Sequence, residues 1–116
     1  MKIKVCLLIL CVILLSGCGV EKYKKECLEK AKDMYAKIND EKITSCVIEY
    51  AEERSSTLYT FCVTDEKVVY ASEHMVFKPG DTYYDQYWQS YEQIKDEVTT
   101  HVDGYYTYEF KADELK

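Results

Sequence analysis

Between residues 43 and 77 the chain carries three runs rich in β-branched and aromatic residues. They are 43–51 (ITSCVIEYA), 57–64 (TLYTFCVT) and 68–77 (VVYASEHMVF). Residues of this kind fit a pleated, half-buried surface. The connections are short and polar: Glu52-Glu53-Arg54-Ser55-Ser56 and Asp65-Glu66-Lys67. Consecutive strands joined this way read as an antiparallel meander. Two helical patterns flank it. Val20, Tyr23, Cys27, Ala31, Met34, Tyr35 and Ile38 recur at three- and four-residue spacing, predicting a helix over 21–38 that Asn39 stops. Tyr84, Tyr87, Trp88, Tyr91, Ile94 and Val98 predict a second helix running to about residue 99. Asp81 or Thr82 would cap it, with Asp85 completing a capping box. Asp103-Gly104 then turns the chain into a last strand over 105–112 (YYTYEFKA), leaving 113–116 as a polar tail. The expected fold is α+β in the order αβββαβ. It has a four-stranded, mainly antiparallel sheet with both helices on one face, the economical way to bury two apolar stripes.

The first seventeen residues stand apart from that fold. Lys2 and Lys4 precede an uninterrupted apolar run over 5–15 (VCLLILCVILL). As a helix this run rises roughly 16 Å, well short of the roughly 30 Å hydrocarbon core of a bilayer. A basic start, a short apolar core and small residues at its end form the pattern of a secretory signal peptide. The run closes on Leu15-Ser16-Gly17-Cys18. This tetrad resembles the lipobox of bacterial lipoproteins. The resemblance implies cleavage before Cys18 and acylation of that cysteine, with a diacylglyceryl group and fatty chains such as palmitate. It also implies a lipid-anchored protein on the extracytoplasmic face of a cell membrane. The expected organisation is then a removed leader at 1–17, a tether of only 18–20, and one domain over 21–116. So short a tether holds the domain within roughly 10 Å of the bilayer, at about 3.5 Å per residue.

Removing residues 1–17 from 116 leaves 99, enough for one modest core. Losing Lys2 and Lys4 takes the net charge from −6 to −8. An acidic chain is a poor nucleic-acid partner, because phosphate binding needs clustered Lys and Arg. Residues 21–38 hold six lysines against four acids, while 39–116 hold seven basic residues against seventeen acidic ones. The basic helix could lie near anionic headgroups or simply present a solvated face of i,i+4 pairs.

Few residues point to chemistry. Outside the cytoplasm a disulfide is permitted among Cys27, Cys46 and Cys62. If the first hairpin pairs residues whose numbers sum to 108, Cys46 lies opposite Cys62. Cys27 points from the first helix toward the sheet and competes for either partner, and the alternative is three buried thiols. No CxxC or HxxxH spacing supports a metal site or a thioredoxin-like role, and no cofactor is expected. His74, placed mid-strand, and His101 sit in no nucleophile motif. Acids are so abundant that some close carboxylate pair must occur, and none is singled out. Twelve tyrosines and one tryptophan are the remaining signal. About half of them should form the core and the others cover its rim. Tyr83, Tyr105 and Tyr106 are the candidates for ligand contact, since an aromatic face with a polar handle suits a sugar, a peptide or a partner protein.

The stretch 59–110 also resembles the YehR-like family of small bacterial lipoproteins. The matching features are the Tyr-bearing strand before Asp65-Glu66-Lys67-Val68, the long third strand, the Tyr-rich helix with Tyr91 and Ile94, and the last strand led by Gly104. The family implies location and fold, not an activity. The functional expectation is a non-enzymatic binding or interaction module held to the membrane through Cys18. Its partner would be an envelope protein or an exogenous ligand. The alternative is a small cell-wall-acting enzyme, or an inhibitor of one offering the acidic Glu52-Glu53-Arg54 turn.

Overall fold

The computed structural model describes residues 21–72, 74–100 and 102–116; Cys18 and His101 lie outside them. The elements run α1 (Lys24–Ile38), β1 (Ile43–Ala51), β2 (Ser56–Thr64), β3 (Val69–Ala71), β4 (Met75–Phe77), α2 (Tyr84–Glu97), β5 (Tyr105–Lys111) and α3 (Ala112–Leu115). The fold is α+β. Its sheet is antiparallel and five-stranded, in the order β4-β3-β2-β1-β5.

Four expectations are corrected. The strand expected over 68–77 is two strands. Ser72 takes a left-handed φ of 57°, and Met75 pairs back antiparallel with Ala71, so the chain has reversed between them. His74 is therefore an exposed turn residue. The tail is also not purely polar. Residues 112–115 form a helical turn, the Lys111 N–H donates to Glu114 Oε2 at 2.8 Å, and Leu115 is buried.

The third correction decides where a site can be. The helices cover opposite faces of the sheet. Side chains alternate along β1. Cys46, Ile48 and Tyr50 meet Cys27, Ala31 and Met34 of α1, with Phe110 and Leu115. Val47 meets Tyr84, Tyr91 and Ile94 of α2, with Phe61 and Val69. The topology forces this second layer. β4 ends at one edge of the sheet and β5 begins at the other, so their connection must cross the whole sheet. Four interstrand spacings of about 4.8 Å make a traverse of roughly 19 Å, and fourteen helical residues rise roughly 21 Å. α2 spans that distance and contacts β1, β3 and β5. With both faces covered, β1 is buried along nearly its whole length.

Local chemistry explains the element ends. Asn39 closes α1 in the left-handed conformation (φ 53°, ψ 46°), its N–H donating to the Tyr35 carbonyl. The Asp65-Glu66-Lys67 turn puts Lys67 at φ 64°, with the Val68 N–H held by Thr64 Oγ1 at 3.2 Å. The expected cap of α2 is corrected as well. Its first residue is Tyr84 and no side chain caps it; Asp81 instead accepts from the Lys78 N–H at 2.8 Å and steadies the preceding turn.

Candidate functional site

A single helix crossing five strands cannot cover the sheet. Beside α2, over β1, β2 and the β3–β4 turn, a groove of about 560 Å³ remains. That volume is in the range of small-molecule sites, about 300–1,000 Å³. Phe61 and Ile94 give it an apolar floor, while Gln86, Ser90 and Gln93 of α2 line one wall. Tyr87 is fixed in that wall by stacking on Phe77, with ring centroids 3.9 Å apart. A more open hollow of about 390 Å³ adjoins it, sharing Glu49, Leu58, Tyr59 and Glu97, and is bounded by Arg54, Val102 and Tyr105.

Where the two hollows meet lie two acids. Glu49 is the acidic residue of β1 and points to the α2 face, opposite Tyr59 on β2 and Thr107 on β5. Only 6% of it is exposed. Glu97 is the last residue of α2, where the helix dipole is unfavourable to negative charge. Its Oε2 is buried and has no hydrogen-bond donor among the described residues. Two ionised carboxylates only accept, so the contact between this pair becomes a hydrogen bond when one of them carries the proton. Desolvation in the strand, then hydrogen bonding and repulsion from Glu97, push the Glu49 carboxyl up from 4.5 to about 8. At neutral pH the pair therefore keeps one proton. Glu49 and Glu97 are the charged residues of the main chamber. Arg54 stands at the outer hollow, and Lys95 turns instead to Glu109 at 3.9 Å.

The expected aromatic contacts do not converge. Tyr83, 61% exposed, immediately precedes α2, at the opposite end from Glu97. Tyr105 is exposed and borders the outer hollow. Tyr106 points to the other face and meets Tyr23 edge-on at 5.0 Å, beside the Tyr23–Tyr50 stack. Of the three, Tyr105 alone borders either hollow. Tyr59, 54% exposed, lines both hollows and was not singled out by composition. Glu49 had one sequence signal, an acid between Ile48 and Tyr50 in a strand-like run. Glu97 had none, because an acid near a helix end is ordinary.

On the α1 face, Cys46 and Cys62 are cross-strand partners joined by a disulfide. Cys27 is a buried free thiol in the same cluster, and burial pushes it up to about 12. Such a thiol is almost wholly protonated at neutral pH and a poor nucleophile. Among the described residues no group of three metal-ligating side chains occurs, and no helix is long and apolar enough to cross a membrane.

Comparison of the chain with protein-family models, with curated proteins and with solved structures finds no match.

Proposed function

We propose that residues 21–116 are the ligand-binding domain of a lipoprotein anchored through Cys18 on the extracytoplasmic side of a cell membrane. The observation that supports binding is the groove beside α2, an apolar floor with a few convergent polar groups. The anchor is supported by the Leu15-Ser16-Gly17-Cys18 tetrad behind a short apolar run. The Cys46–Cys62 disulfide is in keeping with an oxidising compartment.

A second reading draws on the same carboxyl pair. A concave site with a carboxyl kept protonated at neutral pH is where a general acid is found, which would suit a cell-wall-acting enzyme. The pair is poorly placed for a glycosidase. Such enzymes hold their two carboxyl groups about 5–9.5 Å apart to flank the scissile bond, whereas the Glu49 and Glu97 carboxyls act directly on each other as one coupled pair. Binding is therefore the better reading.

A groove-filling variant tests it. Ser90 is half-buried on the α2 wall, its hydroxyl donating to the Gln86 carbonyl at 3.1 Å. Ser90→Trp should fill the chamber. Fragments that show saturation-transfer NMR signals with the full chain should lose them with Ser90→Trp, while the far-UV spectrum stays the same. Fragment binding that is equal in both proteins rejects the groove as the ligand seat.

A further inference from the structure

We infer that the groove recognises a cation-headed organic ligand, with an ammonium or amidinium-type group seated against the Glu49–Glu97 pair and an apolar body over Phe61 and Ile94. The inference deepens the binding reading above and rests on it. Its first ground is the chamber itself, whose charged lining is acidic. The second is unmet hydrogen bonding. Glu49 is nineteen-twentieths buried to within a percent, at 6% exposure, yet has Glu97 as its carboxyl contact. Glu97 Oε2 is buried without a donor among the described residues. Buried acceptors in native structures normally find a partner. Two carboxyls offer many more acceptor sites than one shared proton can satisfy, whereas an ammonium brings three donors and an amidinium or guanidinium a planar fork.

The third ground is what the chain does not place there. Arg54 lies at the outer hollow but forms no ion pair with either acid, and Lys95 is engaged with Glu109. A metal ion fits less well, since the pair has no third ligating side chain among the described residues. Aromatic walls complete the fit. Tyr59 and Phe61 lie nearly parallel, centroids 6.5 Å apart, and Tyr87 stands across from them. Ring faces attract an organic cation, with estimates of about 0.5–2 kcal/mol.

Seating a cation against the acids favours the doubly ionised pair, so the pair's proton leaves to solvent as the ligand enters. The groups facing Glu49 are Glu97 from α2, Tyr59 from β2, the neutral Thr107 and Tyr105 from β5, and Arg54 from the β1–β2 loop. Of these, Glu49 is the group whose proton burial and Glu97 hold into the neutral range.

The test is calorimetric titration of the full chain in detergent with benzamidinium, which stays charged between pH 6 and 9, and with neutral benzamide. Benzamidinium should bind at least about tenfold more tightly. Its affinity should rise toward about tenfold per pH unit below pH 8, the limit for release of one proton. Heats in buffers of different ionisation enthalpy should report close to one proton released. Glu49→Gln should abolish the pH dependence and the proton release. Glu97→Gln, at the half-exposed helix end, should likewise reduce the preference for the cation. If benzamide binds as tightly as benzamidinium, the cation inference is overturned and the groove stands. If neither probe binds, the inference also falls, and the Ser90→Trp comparison decides separately whether the groove falls with it.

Discussion

Glu49→Gln should alter how stability depends on pH, because folding raises the Glu49 carboxyl from 4.5 to about 8. An acid whose folded value lies above its unfolded value stabilises fully below the unfolded value. That contribution is lost as pH rises through the folded one. Below pH 4.5 Glu49 is protonated in both states. Between 4.5 and about 8 only the folded protein keeps the proton, so folding takes one up and stability falls by about 1.4 kcal/mol per pH unit. Across the whole window the loss amounts to roughly 5 kcal/mol at most, against a typical domain stability of about 5–15 kcal/mol. Glutamine has the same shape, carries no charge, and can donate an amide N–H to Glu97 at any pH. The variant should match the native protein within about 1 kcal/mol at pH 5 and exceed it by roughly 3–5 kcal/mol at pH 8.5. Other shifted groups act outside this window. Asp40 is held below its ordinary value chiefly by the Tyr70 hydroxyl, so its contribution is present at higher pH and is lost in acid. Tyr70 and Tyr108, pushed up to about 12 mainly by burial, act only in strong alkali. Urea unfolding with the disulfide intact, followed by far-UV dichroism and by the single tryptophan, Trp88, measures the difference at each pH. Parallel stability profiles for the two proteins would refute the reasoning, since Glu49 would then titrate alike folded and unfolded.

Opening the Cys46–Cys62 disulfide, which closes a loop of sequence separation 16, should cost about 3 kcal/mol of unfolding free energy by chain entropy; denaturant titration of Cys46→Ala/Cys62→Ala tests this, and an unchanged midpoint would contradict it. Leu115→Ala should destabilise by about 2–4 kcal/mol, because Leu115 is 4% exposed and packs with the α1-side core; a cost near zero would return 113–116 to a loose tail. Cys27 should resist iodoacetamide in the folded protein at pH 8 and react on unfolding, since burial raises its thiol to about 12; rapid native labelling, read by intact mass, would show that the thiol is accessible.

Local pattern made most elements legible. The helical stripe over Tyr23 to Ile38 and the left-handed Asn39 stop follow from spacing and from backbone chemistry near in sequence. So does the first hairpin, whose pairing of residues summing to 108 puts Cys46 opposite Cys62 before a bulge shifts the register at Glu49/Tyr50. Periodicity could not reveal that residues 68–77 fold back on themselves. A left-handed Ser72 is disfavoured locally and is held there by the pairing of Met75 with Ala71. Nor did the polar composition of residues 113–116 show Leu115 reaching the core, because one apolar residue carries no period.

The faces and the site depended on topology. Apolar stripes say that a helix must be covered, but the same stripe serves either side of a sheet. What placed α2 opposite α1 is that β4 and β5 occupy opposite edges, so the connecting helix must cross the face α1 leaves free. That diagonal path leaves the groove and carries Glu97 to Glu49, forty-eight residues earlier in the chain. The sequence by itself determined the first helix, the first hairpin with its cross-strand cysteines, the second helix and the last strand, because each depends on neighbours or on one hairpin register. The tertiary structure alone decided the two-faced core and the proton-sharing carboxyl pair, because burial and repulsion arise only when distant segments meet.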